Sequence, residues 1–351
     1  MNDTLTFSAR ERVLMIAPHP DDESIAAGGL LQAALAAGAA VRVLVLTDGD
    51  NNPWPQRVIE KRWRIAAADR ARWGARRRAE AEAAMRVLGL APEAMRFLGL
   101  PDLGITDLLM RREATAPNAL RAELAGFAPD LLVVPDIRDR HPDHSAAFLL
   151  AHAALAAAPR AVRMLAFAVH GGGPAGEDAV VVPLDALQRE RKRAAIEAHA
   201  SQMRLSRRRF LRYAQAEERY RRVALPLAPQ PAHPLQARIE PDGRLRIRID
   251  VRAYGRSPRG HMVFLVLEGG IADGVRATIA LEALAGSLPV RDAVGEATLA
   301  VAEVRRGADE VALSLPLRER GDWRAGFVKL GRAEPGLWVF DRCGWQVIAG
   351  V

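Results

Sequence analysis

Residues 12–23 read RVLMIAPHPDDE, and this stretch decides how the first half of the chain folds. It begins with an apolar run, RVLMIA, whose composition is typical of a strand buried on both faces of a parallel sheet. It then places one histidine and three acidic residues within the five positions 19–23. A second apolar run, LLVVP at 131–135, is followed by HPDH at 141–144. The two polar bursts raise the question of whether they form one site.

The first 225 residues alternate apolar strands with Ala-rich amphipathic stretches. This alternation is typical of an α/β domain, and it predicts a Rossmann-like, doubly wound, mainly parallel sheet. The predicted strands are 12–17, 41–47, 95–98, 131–135 and 162–169. The predicted helices are 24–38, 74–89, 117–126, 144–157 and 186–204.

A change of composition around residues 225–236, where four prolines occur, predicts an extended linker. Beyond it, RLRIRIDVRAY at 244–254 alternates apolar and charged residues with a period of two, as a strand with one buried face does. Further strand signals follow in HMVFLVLEGG, EVALSLPL and GLWVFD. We therefore predict an α/β domain at 1–225, a linker at 226–236, and a small all-β, sandwich-like domain at 237–351.

Length and composition limit the class of protein. A chain of 351 residues is long enough for about two domains, and no apolar stretch approaches the roughly 20 residues that a membrane span requires. The N-terminus lacks the pattern of a signal peptide, and the single cysteine, Cys343, can form no internal disulfide. We therefore expect a cytoplasmic protein without a membrane span.

The positive charge of the chain is concentrated in one segment. Residues 188–222 contain twelve Arg or Lys against four Glu, a net charge of +8 that equals the net charge of the whole chain. Such a segment is most often a solvated helix face, although an anionic, phosphate-bearing substrate would give it a function. No recognised nucleic-acid-binding motif accompanies the charge, so we expect no nucleic acid partner.

Loops at the carboxyl ends of strands in an open α/β sheet converge on one crevice, so we expect the two polar bursts to meet there. Imidazole and carboxylate together suit a divalent metal of the zinc type, and three protein ligands with an open position are typical of a catalytic site. His19, Asp22 and His144 would make such a set of ligands. Asp21 and His141 are then the groups that remain for proton transfer.

Several of the remaining residues have simpler interpretations. Glu23 favours the N-terminus of the following helix, and we expect it to tether the loop as well. Asp143 either caps the helix that starts near His144 or orients a ligand histidine by a hydrogen bond without itself binding the metal. The glycines of AAGGL at 26–30 form no dinucleotide fingerprint and are expected to permit close helix packing. His199 has no sequence context that indicates a metal.

APHPDDE at 17–23 and HPDH at 141–144 resemble the two signatures of the LmbE-like, or PIG-L, family of zinc-dependent N-acetyl-sugar deacetylases. The resemblance covers roughly residues 10–222, and one departure from it is Pro18, where the family usually has alanine. The stretches that support the resemblance are TDGD at 47–50, RRRAEAEAAMRVLG at 76–89, LGLPD at 98–102 and AIEAHASQ at 195–202.

The resemblance implies how the residues of the two signatures divide their roles. It implies that Zn²⁺, or another divalent transition metal, is bound by His19, Asp22 and His144. It also implies that Asp21 is the general base, and that His141 polarises the carbonyl or protonates the leaving amine. The reaction would be attack of a zinc-bound water on the amide, which releases a carboxylate and a free amine.

The substrate implied by the resemblance is an N-acetylated sugar or glycoconjugate, including anionic ones. Arg77 and Asp102 match positions that line the sugar pocket of the family. Two other functions stay open: hydrolysis of a non-sugar amide by the same residues, and a catalytically silent carbohydrate-binding protein that keeps the metal. Retention of both Asp21 and His141 argues against the silent protein, because holding a metal requires neither residue.

Overall fold

The computed structural model describes residues 3–156, 160–171, 179–255, 257–269, 274–295, 297–317, 323–332 and 339–351. These residues form two compact units. The first unit comprises Met1–Ile105, Thr115–Asp136 and Ala147–Val223. The second comprises Thr106–Ala114, Ile137–Ala146 and Ala224–Val351. The predicted class, an α/β unit with a mainly parallel sheet and an all-β unit, is confirmed; the predicted domain boundaries stay a prediction.

The first unit contains an eight-stranded, mostly parallel sheet in the order β1-β7-β8-β6-β5-β2-β3-β4. Only β8 runs antiparallel to its neighbours β6 and β7. The strands are β1 Asp3–Thr4, β2 Arg12–Ala17, β3 Ala40–Thr47, β4 Met95–Leu100, β5 Leu131–Pro135, β6 Arg163–Phe167, β7 Ala179–Pro183 and β8 Glu217–Arg222.

The centre of this sheet positions the two polar bursts. β2 pairs with β3 on one side and with β5 on the other, so the strand order reverses at β2 and β5. All of Val13 to Ala17 and Leu132 to Val134 are fully buried, as expected for strands covered on both faces. The first polar burst follows the carboxyl end of β2, and the second follows that of β5.

Eight α-helices accompany the strands of this part of the chain. They are α1 Asp22–Ala36, α2 Pro53–Glu60, α3 Ala67–Leu88, α4 Ile105–Met110, α5 Thr115–Phe127, α6 Pro142–Leu155, α7 Ala186–Ala198 and α8 Ala200–Leu211. No helix of the described ranges is both long and apolar enough to cross a membrane.

The basic segment 188–222 differs from its predicted form as one helical stretch. The predicted helix 186–204 divides at His199, whose backbone lies outside the helical region and which ends α7 and begins α8. Its last residues form β8, where Glu218 and Tyr220 are buried while Glu217 and Arg219 are exposed. This period of two was hidden because the buried positions include a charged residue.

The second unit contains a nine-stranded antiparallel sheet in the order β17-β16-β11-β12-β13-β14-β15-β10-β9. An isolated bridge between Arg238 and Ala349 joins its two ends, so the predicted small all-β domain is one sheet that nearly closes into a barrel. The strands are β9 Leu235–Ile239, β10 Arg244–Asp250, β11 His261–Glu268, β12 Val275–Ala280, β13 Gly286–Asp292, β14 Thr298–Arg306, β15 Glu310–Pro316, β16 Ala325–Arg332 and β17 Gln346–Val347.

The alternation predicted for residues 244–254 is confirmed over β10. Leu245, Ile247 and Ile249 are fully buried, and they belong to the apolar core of the second unit. The strand ends at Asp250, and residues 251–254 form a 3₁₀ turn. Half of the strand predicted in GLWVFD, residues 336–338, lies outside the described part of the chain, and the other half, residues 339–341, is not in a strand.

Candidate active site

The loop after β2 buries an unusual number of polar side chains. His19, Asp21, Asp22 and Glu23 are all less than a tenth exposed. Asp21 is the N-cap of α1, and its φ of 139° lies in a region that side-chain-bearing residues rarely adopt. Its carbonyl accepts the first helical hydrogen bond, from Ile25. Backbone strain of this kind persists only where neighbouring groups hold it in place, and it is common at functional sites.

Glu23 is one of the groups that hold the loop. Its Oε2 accepts a hydrogen bond from the backbone N–H of Asp21 at 3.0 Å, and its Oε1 lies 2.9 Å from both Ser24 Oγ and His199 Nε2. Burial lowers the pKa of His199, but the charge and hydrogen bond of Glu23 outweigh it, so the pKa is raised. His199 is thus a residue that the sequence interpretation missed; its only signal was its place in AIEAHASQ.

Arg77 connects the loops after β2 and β3. Its Nη2 donates to Asp21 Oδ2 at 2.9 Å and to the carbonyl of Pro20 at 2.7 Å, while Nη1 donates to the carbonyl of Gly49 at 2.8 Å. Gly49 has a φ of +62°, and a Cβ there would lie 1.7 Å from Arg77 Nη1, so only glycine fits. Burial raises the pKa of Asp21 to about 6, although Arg77 acts in the opposite direction.

His19 lies between two carboxylates. Its Nδ1 is 3.4 Å from Asp22 Oδ2, and its Nε2 is 3.3 Å from Asp102 Oδ1. Asp22 Oδ2 also accepts the backbone N–H of His19, and Asp102 Oδ2 accepts that of Asn51. Burial would raise the pKa of Asp102, but the contacts with His19 and Asn51 outweigh it and lower the pKa. Asp102, predicted at the sugar pocket, therefore contacts a predicted metal ligand.

The second polar burst has its own orienting carboxylate, Asp139. Its Oδ1 accepts the backbone N–H of His141 at 2.9 Å, and its Oδ2 lies 3.2 Å from His144 Nδ1. The Asp139 carboxylate can only accept a hydrogen bond, so the neutral His144 ring carries its proton on Nδ1. Nε2 then has the free lone pair with which a histidine binds a metal. The sequence interpretation missed Asp139, which stands only two residues before the HPDH motif.

The contacts of His141 also determine its tautomer. Its Nδ1 accepts a hydrogen bond from the backbone N–H of Asp143 at 3.3 Å, so the proton of the neutral ring lies on Nε2. His141 and His144 are 5.1 Å apart between ring centroids. His141 Nε2 is therefore a hydrogen-bond donor beside a histidine whose Nε2 is an acceptor.

The side chains that could bind a metal ion are His19, Asp22 and Asp102 in the first unit and His141, Asp143 and His144 in the second. All six are buried. This set of imidazoles and carboxylates fits a divalent cation of the zinc type.

Of the three predicted ligands, His19 and Asp22 belong to the first unit and contact each other, whereas His144 belongs to the second unit. The assignment of His19, Asp22 and His144 as metal ligands therefore stays a prediction. So do the roles predicted for Asp21 and His141.

Comparisons with known proteins match the part of the chain that contains these residues. The sequence profile of the family described as PIG-L, GlcNAc-PI de-N-acetylase, matches residues 14–155. A 1D-myo-inositol 2-acetamido-2-deoxy-alpha-D-glucopyranoside deacetylase of Mycobacterium sp. (strain KMS) is 35% identical over 148 residues, which cover 38% of this chain and 46% of the relative. The enzyme of the same name from Corynebacterium kroppenstedtii is 32% identical over 158 residues, 40% of each chain.

Among solved structures, the N,N'-diacetylchitobiose deacetylase of Pyrococcus horikoshii superposes with a TM-score of 0.46 at 23% identity, over 60% of this chain and 83% of that one. The chain spans about half the length of the curated relatives that it matches. The family match coincides with β2 to α6 and contains both polar bursts. Residues 14–155 of the chain therefore form a domain that matches the PIG-L, or LmbE-like, family.

Proposed function

We propose that this protein is a metal-dependent hydrolase that removes the acetyl group from an N-acetylglucosamine-type sugar or glycoconjugate. One observation carries the proposal: the buried histidines and carboxylates of both polar bursts, His19, Asp22 and His144 among them, lie in a segment that matches the PIG-L family. The names of the matched relatives, which describe deacetylases of a 2-acetamido sugar, support the substrate class.

A divalent cation, Zn²⁺ or a related transition metal, is proposed to be held by His19, Asp22 and His144. When bound, such a cation polarises an amide carbonyl as a Lewis acid and lowers the pKa of water towards about 7. The hydrogen bond between Asp139 and His144 Nδ1 supports this assignment, because it aims the other ring nitrogen away from the carboxylate.

Asp21 is proposed to accept the proton of the attacking water at Oδ1 or Oδ2. A carboxyl with a pKa of about 6 is mostly ionised at pH 7, and it is a stronger base than an ordinary aspartate. Arg77 donates a hydrogen bond to the Asp21 carboxylate, and the Glu23 carboxylate accepts one from the Asp21 backbone N–H. Together these bonds fix the orientation of Asp21. Arg77 is proposed to act here and also, together with Asp102, in binding the sugar.

His141 is proposed to stabilise the charge that develops on the amide oxygen. The hydrogen bond from Asp143 to Nδ1 leaves the proton on Nε2, which can donate to that oxygen. A proton must also reach the amide nitrogen before the C–N bond breaks, and protonated Asp21 or His141 can deliver it. The products are a carboxylate and a free amine.

The test is detection of newly freed amine from a panel of N-acetylated sugars, nucleotide-sugars, glycolipids and non-sugar amides. We expect release from at least one N-acetylglucosamine derivative, lost in Asp21→Asn and retained in Asp242→Asn, an exposed control in the second unit. Release from only the non-sugar amides would show a different substrate class. Binding of sugars without any release would instead show a silent carbohydrate-binding protein.

A further inference from the structure

Within the second compact unit, the end of the chain packs along the loop that carries His141. The backbone N–H of Asp341 donates to the carbonyl of Arg140 at 2.8 Å, and that of Trp345 donates to the carbonyl of Ile137 at 3.0 Å. Arg140 Nε returns a hydrogen bond to the carbonyl of Asp341 at 3.1 Å. Residues 340–345, here called the clamp segment, therefore contact both ends of the loop at 137–141.

The packing of the clamp segment on this loop is close. A Cβ on Gly344 would lie 2.0 Å from the carbonyl oxygen of Ile137, so only glycine allows the two backbones to approach. The segment is also fixed to β16, where buried Lys329 pairs with Asp341 at 2.6 Å and lies 5.7 Å from the centre of the Trp345 ring. It is thus a rigid support for the loop.

Phe340, the first residue of the clamp segment, contacts the imidazole ring of His141. Its ring meets that of His141 edge to face, with centroids 5.8 Å apart and an interplanar angle of 74°. On another side, the His141 ring contacts that of His144. Phe340 is only partly buried and is not among the residues of the described apolar core of the second unit, so its packing serves the loop and not that core.

We propose that Phe340 is a positioning residue for His141, and that the clamp segment holds the His141 imidazole in its reactive orientation. The inference rests on the proposed function, because it assigns Phe340 a part in amide hydrolysis. The clamp segment lies about 185 residues beyond the matched family domain, which ends at residue 155. The clamp segment would then be part of the catalytic apparatus, since it orients a group that must point at the developing oxyanion.

The expected size of the effect follows from geometry. A misplacement of about 1 Å in a reacting group can cost on the order of 100-fold in rate. Loss of the Phe340 ring should therefore lower kcat about 10- to 100-fold and change KM by less than about threefold, because no part of Phe340 is proposed to bind the sugar.

The experiment compares Phe340→Ala with Phe340→Tyr in the full chain, on whichever N-acetylglucosamine derivative the panel identifies. Phe340→Tyr should recover most of kcat, since it restores the ring. Both variants should keep the metal content and melting temperature of the parent protein. A kcat for Phe340→Ala within twofold of the parent value, or a loss of activity that follows loss of metal or of folding, would overturn the inference.

A second variant tests the clamp segment without touching either ring. Gly344→Ala should force the segment away from Ile137 and lower kcat in the same way as Phe340→Ala. Gly307→Ala, whose Cβ would have only an ordinary contact with Glu310 at 3.4 Å, is the matched control and should match the parent. Equal activity of Gly344→Ala and Gly307→Ala would contradict the support role.

One readout separates failure of this inference from failure of the proposed function. The NMR shifts of the His141 ring protons respond to the nearby Phe340 ring, whatever reaction the protein performs. If Phe340→Ala moves these shifts but no substrate is hydrolysed, the positioning contact stands and the proposed function is wrong. If the shifts do not move, the positioning contact itself is refuted.

Discussion

Replacement of Arg77 by methionine should move the acid limb of the pH–activity profile to higher pH. In the folded protein Arg77 Nη2 lies 2.9 Å from Asp21 Oδ2, and both side chains are about nine-tenths buried. The guanidinium stabilises the ionised carboxylate, so it lowers the pKa of Asp21 against the larger effect of burial. Without that positive charge the pKa of Asp21 must rise above its value of about 6.

The magnitude follows from the strength of such pairs. An opposite charge in contact lowers the pKa of a carboxyl by about 1–3 units, so Arg77→Met should bring Asp21 to between about 7 and 9. At pH 7 the ionised fraction would fall from about nine-tenths to between about one-half and one-hundredth. The rate at pH 7 should decrease about 2- to 100-fold, and most of it should return at pH 9 to 10.

The measurement is kcat/KM for amine release across pH 5 to 10, in the parent protein, in Arg77→Met and in Arg76→Met. Arg76 is the neighbouring helical residue, points outward and pairs with Glu80, so its replacement should leave the profile in place. A bound cation lowers the pKa of Asp21 in all three proteins, so it moves all three profiles to lower pH and makes the decrease at pH 7 smaller, but the displacement of Arg77→Met relative to the parent protein is kept. A profile for Arg77→Met that is lower at every pH but not displaced would refute this explanation of how Arg77 acts.

Three further outcomes are expected. Asp21→Asn should lower hydrolysis by at least about 100-fold with unchanged metal content. It should also stabilise the metal-free protein above pH 6, because the raised pKa of Asp21 makes native stability fall as pH rises from about 4 to about 6; calorimetry against pH checks this. Asp139→Asn should weaken metal binding about 10- to 100-fold in a chelator competition, and equal affinity would show that Asp139 does not orient His144. Lys192→Met should cost about 3–5 kcal/mol of unfolding free energy, since it leaves Glu218 buried without its ion-pair partner. Glu217→Gln, at the exposed neighbouring position, should cost less than about 0.5 kcal/mol in the same denaturant titration.

The parts of the fold that the sequence predicts are those in which one physical signal dominates. The strands at 12–17 and 131–135 are apolar, except for Arg12 at the start of the first, because both faces are covered, and the structure has them with the same bounds. The β10 alternation is equally clear, because one face is covered and the other is not. Strand β8 was missed because one of its buried side chains is a glutamate. A charged side chain is buried only where a partner elsewhere in the chain pairs with it, and no local sequence pattern reveals that partner.

The same limit applies to the site. The residues of the two polar bursts could be found because they are adjacent in sequence and chemically unusual. Asp139, His199 and Phe340 could not, because their significance lies in which atoms they face. Phe340 is separated from His141 by about 200 positions, so only the tertiary fold connects them.

The position of α1 explains how the first polar burst can be both strained and well defined. The helix starts at Asp22, so the loop residues before it are fixed only if the helix is fixed. Near its middle, the N–H of Leu30 and the carbonyl of Ala26 are the groups that normally pair in a helix. Here Leu30 donates to Glu218 Oε2 at 2.8 Å, and Ala26 accepts from Tyr220 at 2.9 Å.

The side chains of strand β8 therefore hold α1 through backbone groups of the helix. Gly29 donates to Glu218 Oε1 at 2.7 Å, and Lys192 neutralises the same carboxylate at 2.5 Å. A Cβ on Gly29 would lie 2.6 Å from Leu184, and one on Gly28 would lie 3.1 Å from Lys192, so the expected role of these glycines in close packing is confirmed. A buried charge is costly unless it is paired and hydrogen-bonded, and Glu218 is both. The polar interior of the first unit thus orients α1, and α1 in turn orients the loop that carries His19 and Asp21.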